Sequence, residues 1–274
     1  MPSTDASADH HDSSGTGPAD GSGTGPADGA ARPPVFLAST AELARPTVVL
    51  SGREGRHAST VRRLGRGERV DLTDGAGTLA ECVVSAARPG ELELTVQARS
   101  TQPRSQPVVT VVQAIPKGDR GELAVELLTE VGVDVIIPWA AQRCVAVWRG
   151  ERAAKARDRW QAAGQEAAKQ ARRSWLPEVT GQADLTAVSQ RVADSDVAVL
   201  LDPGALVPVS GLTLPATGEI VIIVGPEGGL TVAESERLVA AGAVRARLGP
   251  TVLRASSAGV VAAGALLSRT GRWS

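Results

Sequence analysis

The feature that most constrains the fold is a strand-like run that passes through a glycine-rich turn directly into a helix start. Residues 220–224 are continuously apolar, which predicts a buried strand. The next six residues, 225–230, read Gly-Pro-Glu-Gly-Gly-Leu. Thr231 with Glu234 three positions later is the pattern of a capping box, which predicts that a helix begins there. A strand, a glycine-rich turn and a helix together make a cradle.

The composition of this turn indicates what it can bind. Glycines let backbone N–H and C=O groups approach a ligand closely, and Pro226 stiffens the turn while removing a donor. Such a loop can read adenine edges and a ribose through its main chain. It is a poor phosphate loop, because it lacks the lysine and Ser/Thr of a P-loop and does not fit G-x-G-x-x-G. A Rossmann-type dinucleotide enzyme is therefore disfavoured.

The hydrophobic periodicity changes along the chain and predicts two domains. Up to about residue 100, short alternating runs with glycine punctuation predict a small antiparallel barrel. Residues 75–80 superficially fit G-x-G-x-x-A, but a strand follows them, so a hairpin is favoured. Beyond a polar linker, continuous apolar runs alternate with helical stretches, which is typical of a parallel sheet covered on both faces. We expect a barrel domain over residues 32–102 and an α/β domain over residues 103–274.

The first 31 residues are low in complexity and contain a perfect tandem repeat. Residues 14–21 recur as residues 22–29, and the segment is rich in Ser, Gly, Asp, Thr and Pro. Such a segment buries too little apolar surface to offset chain entropy, so we predict a disordered tail. His10 and His11 belong to this tail and are interpreted as solvated rather than metal-binding.

Charge and cysteine content narrow the function classes. The net charge is −1, so any RNA contact must come from local basic clusters. Cys82 and Cys144 lie far apart without a C-x-x-C pattern or histidines at metal spacing, which argues against a zinc site and a disulfide framework. No apolar run has transmembrane length, and the first thirty residues lack the hydrophobic core of a signal peptide. We therefore expect a cytoplasmic protein with no membrane partner and no metal.

Several motifs, taken in order, resemble the RsmE-type branch of the SPOUT methyltransferases. They are residues 116–120, 128–133, 166–170 with Arg173 and Pro177, 225–230 and 248–254. Near the N-terminus, His57 followed by residues 61–64 and 74–77 looks like the small RNA-binding domain of that family. The resemblance covers roughly Val35 to the C-terminus.

The resemblance implies a fold, a reaction and partners. The implied fold is α/β, with a C-terminal SPOUT-type, trefoil-knotted parallel-sheet domain and an N-terminal PUA-like small β-barrel domain. The implied reaction is S-adenosylmethionine-dependent methylation of uridine N3 in 16S ribosomal RNA, at uridine 1498 of the decoding region. The implied partners are 16S ribosomal RNA, within the small subunit, and a second copy of the chain in a homodimer.

The family binds S-adenosylmethionine among three C-terminal loops, and this placement implies the cofactor-binding residues here. They are Leu201, Gly225, Pro226, Glu227, Gly228, Gly229, Leu248, Leu253 and Ser256. The alternative for the glycines is an ordinary strand-to-helix turn, and Leu248 and Leu253 could be plain core residues.

Arg254 is the residue most readily assigned to chemistry. Methylation of uracil N3 requires loss of a proton, and the charge spreads onto O2 and O4. A guanidinium can bind that developing anion, although it is too basic to accept the proton. A salt bridge at a helix entry is the alternative. Many family members carry a glutamate where this chain has Ser256, so an obvious general base is missing, and Ser256 or Ser257 is expected to cap the last helix.

The proton acceptor is then expected to be water or a residue from elsewhere in the chain. Glu166, Gln170 and Arg173 follow i, i+4, i+7 spacing along a helix that begins near Glu151, which would place them on one face. A solvated face with an internal salt bridge is the ordinary interpretation. The resemblance raises the alternative of RNA contact, with Glu166 a weak candidate for the base.

The remaining basic residues predict an RNA surface. The densest basic cluster contains His57, Arg62 and Arg63, and Lys117 and Arg120 can extend it. Solubility is the alternative explanation. The predicted RNA-binding residues are His57, Arg62, Arg63, Lys117, Arg120, Gln170 and Arg173.

The final helix bears on assembly. Residues 258–265 are mostly small, which lets another helix approach closely, and the resemblance favours a homodimer with this helix near the interface. On this hypothesis Ala262→Glu would give monomers, whereas packing inside the same subunit is the alternative. A non-catalytic RNA-binding or ribosome-assembly factor that retains the fold is the second function hypothesis, which the missing glutamate keeps open.

Overall fold

The computed structural model describes residues 32–273, and its strands form two sheets. The first sheet has the order β1-β3-β4-β5-β2. Its strands are β1 (Val35–Leu37), β2 (Thr47–Leu50), β3 (Arg69–Thr73), β4 (Thr78–Arg88) and β5 (Glu91–Thr101). All neighbours pair antiparallel except β1 and β3, which are parallel. The short helices α1 (Thr40–Leu43) and α2 (Gly52–Arg56) lie between these strands, and α2 continues as a π-helical turn at His57–Val61.

The second sheet is entirely parallel. Its strands are β6 (Val108–Ala114), β7 (Val135–Trp139), β8 (Glu178–Val179), β9 (Val197–Leu201), β10 (Val207–Pro208), β11 (Glu219–Val224) and β12 (Val244–Arg247). Their order across the sheet is β10-β12-β9-β11-β6-β7-β8. The helices are α3 (Arg120–Val131), α4 (Glu151–Gln170), α5 (Leu185–Asp194), α6 (Val232–Ala240) and α7 (Ala255–Leu267). The predicted change from mainly antiparallel to parallel pairing is confirmed.

The central strands are mostly apolar because helices cover both faces of this sheet, and the polar Thr110 and Gln113 of β6 are also buried. Along β11, Ile220 and Ile222 pack into a core with residues of α3 and α7, such as Leu128. The alternate residues Val221 and Ile223 pack into a second core with residues of α5 and α6. This arrangement explains the continuous apolar runs in the sequence.

The hairpin between β3 and β4 docks onto the segment that follows α4. The Gly77 N–H donates to the Ser174 carbonyl at 2.9 Å, and the Leu176 N–H donates to the Gly75 carbonyl at 2.9 Å. Gly77 has a φ of +101°, and a Cβ there would lie 2.6 Å from the Gln102 carbonyl oxygen. Only glycine therefore fits this backbone-to-backbone contact.

Ion pairs reinforce the same junction. Lys169 on α4 is 3% exposed, and its Nζ lies 2.9 Å from Oε1 of Glu54 and 2.9 Å from Oε2 of Glu166. Glu166 Oε1 also accepts from Arg53 Nη2 at 2.7 Å. Since Arg53 and Glu54 lie on α2, these charges connect α4 to the N-terminal sheet.

Helix α7 packs inside its own subunit, which corrects the expectation for Ala262. Ala262 and Ala263 are fully buried, and a Cβ at Gly259 would lie 3.2 Å from Leu128 and 3.3 Å from Val224. Ala262→Glu would therefore place a carboxylate in the core rather than at a subunit surface. Val261 and Ala265 are the exposed apolar residues of this helix.

The remaining expectations concern the tail, membrane spans, metal sites and the knot, and the structure bears on them only within residues 32–273. The predicted disordered tail, with His10 and His11, lies outside residues 32–273. Within that range, no helix combines the length and the apolar character needed to cross a membrane. In the same range, no group of three or more His, Cys, Asp or Glu side chains is arranged to hold a metal ion. The trefoil knot stays a prediction.

Candidate functional site

A cavity of about 730 Å³ lies at the carboxyl ends of β9, β11 and β12. In an open parallel sheet these ends meet at one edge, where ligands commonly bind. Its size is that of a pocket for a small molecule or cofactor. Seven of the nine predicted cofactor residues line it: Leu201, Gly225, Pro226, Glu227, Gly229, Leu248 and Leu253.

The two other predicted cofactor residues lie outside this lining. Gly228 faces away, and its carbonyl accepts a hydrogen bond from Arg143 Nη1 at 3.1 Å. Ser256 is buried in the first turn of α7. The expected serine cap is also wrong, because Arg254 is the N-cap residue and Ser257 Oγ donates to the Arg254 carbonyl at 3.2 Å.

The glycine-rich turn has a defined shape. The Gly229 N–H donates to the Pro226 carbonyl at 2.9 Å, which closes a four-residue turn. Gly229 has a φ of +69°, whereas Gly228 does not have a positive φ. A Cβ at Gly225 would lie 3.3 Å from Leu230 Cγ. The special backbone conformation is thus required at Gly229, which lines the cavity.

The predicted capping box at the start of α6 is confirmed. Glu234 N–H donates to Thr231 Oγ1 at 3.3 Å, and Thr231 N–H donates to Glu234 Oε2 at 2.9 Å. The other oxygen, Oε1, accepts from the Gln142 N–H at 2.7 Å. Burial alone would raise the pKa of Glu234, but the hydrogen bonds from Gln142 and Thr231 hold that pKa below its ordinary value.

Arg254 projects from the start of α7 and lines the cavity. Its main-chain carbonyl accepts from the N–H groups of Ser257 at 3.0 Å and Ala258 at 2.9 Å, which fixes the backbone. The side chain is exposed and forms no hydrogen bond or ion pair within residues 32–273. The guanidinium can therefore reach a ligand without breaking an existing contact.

The charges around the cavity favour a cationic ligand. Asp202, Glu227 and Glu236 contribute carboxylates, while Arg245 and Arg254 contribute guanidiniums. Arg245 Nε donates to Asp202 Oδ2 at 2.7 Å. Burial would raise the pKa of Asp202, but hydrogen bonds from Gly204 N–H and Arg245 hold that pKa below its ordinary value. The lining thus carries one more negative than positive charge.

The predicted acid-amide-base face on α4 is not formed. The helix ends at Gln170, which is exposed, and Arg172 turns the chain with a φ of +56°. Arg173 is half-buried, and its Nη1 donates to the carbonyls of Thr129 at 2.9 Å and Val133 at 2.6 Å.

Partial burial also limits what the Arg173 guanidinium can contact. This burial lowers the pKa of Arg173 to about 10, against the opposing effect of the Asp134 carboxylate. The expectation that Arg173 contacts RNA is corrected, since its guanidinium holds the α3–β7 connection together. Glu166 does not line the cavity and is held by Arg53 and Lys169.

The other predicted RNA-binding residues lie at the surface. Arg62, Arg63, Lys117 and Arg120 are exposed. His57 is half-buried, and its ring lies edge-on to that of Phe36 with centroids 5.6 Å apart. These positions are compatible with RNA contact by the cations and with a packing role for His57.

Sequence reasoning missed two residues around the site, Arg143 and Arg245. Arg245 and Asp202 pair across two strands, and Arg143 contacts the turn from a loop 85 residues earlier. No local pattern signals contacts over such separations.

Comparisons with known proteins agree with this geometry. A family model described as an RNA methyltransferase domain matches residues 103–267, and one described as an RNA methyltransferase PUA domain matches residues 50–97. The chain is 43% identical over 243 residues to ribosomal RNA small subunit methyltransferase E of Mycobacterium tuberculosis, which covers 87% of this chain and 93% of the relative. It is 31% identical over 233 residues to the protein of the same name from Bacillus subtilis, which covers 82% and 91% of the two chains.

A solved structure is similar over nearly the whole chain. The ribosomal RNA small subunit methyltransferase E from Neisseria gonorrhoeae, bound to S-adenosyl methionine, matches with a TM-score of 0.76 and 25% identity. The match covers 89% of this chain and 100% of that chain. These matches confirm the predicted fold class, with a PUA-like region N-terminal to a SPOUT-type parallel sheet.

Proposed function

Because this chain belongs to the RNA methyltransferase family, together with the ribosomal RNA small subunit methyltransferase E proteins, we propose that it methylates N3 of a uridine in 16S ribosomal RNA using S-adenosylmethionine. The observation that carries the proposal is the cavity at the carboxyl ends of the strands. It is lined by the glycine-rich turn and by Arg254, whose side chain has no partner within the described residues. The proposed target is uridine 1498 of the decoding region, within the small subunit.

The residues present fit S-adenosylmethionine. The cavity volume suits a cofactor of this size, and the surplus carboxylate in its lining matches the single net positive charge of the molecule. Gly225 and Gly229 bring main chain to the wall of the cavity, while Leu248 and Leu253 add apolar surface for an adenine. When bound, the cofactor supplies an electrophilic methyl group on a sulfonium centre.

Arg254 then acts on the nucleobase. As N3 loses its proton to water, negative charge develops on O2 and O4, and a guanidinium offers two donors in a rigid fork to that anion. Because the Arg254 side chain has no competing partner within the described residues, its donors are available. Stabilising charge that develops in the transition state is a large catalytic effect. We propose Arg254 as the catalytic residue.

The proposal extends to RNA binding, assembly and location. Arg62, Arg63, Lys117 and Arg120 are proposed to contact phosphates, which supplies affinity without reading sequence. A homodimer through the exposed side of α7 is proposed, because Val261 and Ala265 lie there. The proposed place of action is the cytoplasm, where ribosomes are assembled.

Two measurements test the proposed function. Calorimetric titration of the full chain with S-adenosylmethionine and with NAD should show binding of the first compound only. Incubation with S-adenosylmethionine and small subunits that lack the modification should then produce N3-methyluridine, located by mass spectrometry of RNA fragments. Cofactor binding without methylation of subunits or free 16S RNA would favour the non-catalytic assembly factor instead.

A further inference from the structure

We infer that Arg143 is a positioning residue that holds the cofactor turn in its binding shape through main-chain carbonyls. Arg143 lies in the loop between β7 and α4, outside the cavity lining. Its Nη1 donates to the Gly228 carbonyl at 3.1 Å and to the Leu230 carbonyl at 3.4 Å. The inference rests on the proposed function, since it treats residues 225–230 as part of a cofactor site.

The two carbonyls lie on either side of Gly229. That residue has the positive φ of the turn and lines the cavity. One guanidinium therefore spans the position at which the backbone is most adaptable. The Arg143 Cβ also lies 3.4 Å from the position that a Cβ of Gly228 would occupy, so the arginine covers the outer side of the turn.

A second contact fixes the loop that carries Arg143. Gln142 N–H donates to Glu234 Oε1 at 2.7 Å, and Glu234 Oε2 closes the capping box on Thr231. Further along this loop, the Trp148 ring packs edge-on against Trp160 of α4, with centroids 5.0 Å apart. Arg143 is thus presented to the turn from a loop that is attached at both ends.

The physical consequence concerns binding rather than folding. A turn with glycines at three of its six positions has a large conformational entropy when its carbonyls are unrestrained. Holding it in the bound shape in advance removes part of the ordering that a ligand must otherwise impose. Loss of Arg143 should weaken S-adenosylmethionine binding by about tenfold, the order expected when the ligand must itself order the backbone of about one residue.

The experiment compares three variants of the full chain by calorimetry with S-adenosylmethionine. Arg143→Ala should bind about tenfold more weakly than wild type. Arg143→Lys should recover part of the affinity, because an ammonium can still donate to a carbonyl. Arg149→Ala removes a cation from the same loop that has no hydrogen bond or ion pair within residues 32–273, so it should bind like wild type.

A second readout separates positioning from general stability. In Arg143→Ala, hydrogen exchange should become faster at the amide groups of residues 228–230 and stay unchanged in the N-terminal sheet. The KM for S-adenosylmethionine should rise, while the KM for RNA should stay constant. Wild-type affinity in Arg143→Ala, or an equal loss in Arg149→Ala, would overturn the inference. If Arg143→Ala fails to fold, Arg143→Lys provides the test. Weaker S-adenosylmethionine binding, with faster hydrogen exchange confined to the turn, supports the inference. Wild-type affinity together with wild-type hydrogen exchange overturns it. Failure of the wild-type chain to bind S-adenosylmethionine would refute the proposed function itself.

Discussion

Arg254 combines a fixed backbone with an exposed side chain that has no partner in the described part of the chain. Its carbonyl accepts two main-chain hydrogen bonds from the first turn of α7, so the Cα position is set by the helix. A salt bridge at the helix entry, the alternative for this residue, is not formed within residues 32–273. This arrangement suits a guanidinium that binds negative charge as it develops on a substrate.

Arg254→Ala should lower turnover by roughly 100-fold while leaving S-adenosylmethionine affinity within a few fold, because one charge-stabilising donor group is lost. Single-turnover methylation and calorimetry on the same preparation would measure both quantities. Arg254→Lys should rescue turnover poorly, since a point charge does not reproduce the fork of donors. Near-normal single-turnover methylation in Arg254→Ala would show that the residue is not catalytic.

Gly229→Val should weaken S-adenosylmethionine binding by at least about tenfold. The space around a Cβ at this position is open, but the φ of +69° strains a β-branched residue by roughly 1–3 kcal/mol. Relief of that strain would distort the turn. Gly228→Ala is the matched control, because residue 228 has no positive φ and a Cβ would make an ordinary 3.4 Å contact with Arg143. Equal affinities of the two variants would contradict the assignment of the special conformation to Gly229.

Residue roles were predictable only where a short segment determines the geometry. Most of the predicted cofactor residues line one cavity, since the turn and the segment after β12 follow parallel strands that lie on either side of β9. The sequence could not distinguish Gly228 from Gly229, because either glycine can adopt a positive φ. Glu166 was a candidate base, and its contact with Arg53 spans 113 residues, a separation that no local pattern encodes.

At the scale of elements, the start of α6 was predictable because a capping box is local. Thr231 and Glu234 form both reciprocal hydrogen bonds that the pattern implies. The end of α4 was not predictable in the same way. The sequence continues with ordinary helix-forming residues, yet Arg172 turns the chain and the Arg173 guanidinium is drawn into carbonyls of the α3–β7 connection. Tertiary contacts there override helical periodicity.

Glu234→Gln should destabilise the protein by about 1–2 kcal/mol at neutral pH, because hydrogen bonds to a charged acceptor become neutral ones. The folded-state pKa of Glu234 lies below its ordinary value of 4.5. Its contribution to stability is therefore present above pH 4.5 and is lost as the pH falls through the folded pKa. Urea unfolding at pH 7 and below pH 4 should show a difference between wild type and variant that shrinks in acid. A difference independent of pH would mean that the charge of Glu234 does not stabilise the capping box.

At the scale of the molecule, the segment 74–77 has a structural role at the junction between the two sheets. Its glycines dock the β3–β4 hairpin onto Ser174 and Leu176 by main-chain hydrogen bonds. Lys169, buried between Glu54 and Glu166, adds ion pairs at the same junction. Removing one partner of a buried pair is strongly destabilising, so this junction resists separation of the sheets. The exposed arginines of the N-terminal sheet are thereby held in a fixed relation to the cavity.

The proposed homodimer depends on the surface that α7 leaves uncovered. Val261 is 45% exposed, and Ala265 follows four residues later on the same side of the helix. This stripe continues from Ala258 and Arg254, which line the cavity, so a partner seated there would lie beside the site. A second copy of the chain could then bring its own basic surface to this subunit's Arg254.

Val261→Glu should convert a dimer into a folded monomer with greatly reduced methylation, because burying an unpaired carboxylate in an interface is unfavourable. Light scattering at micromolar concentration and a methylation assay would test this. Val239→Glu on α6 is the control, since Val239 is similarly exposed at 43% and should tolerate the charge. Ala262→Glu cannot serve this purpose, because its carboxylate would enter the core of the subunit. A wild-type chain that is monomeric and active under these conditions would exclude both the dimer and a site shared between subunits.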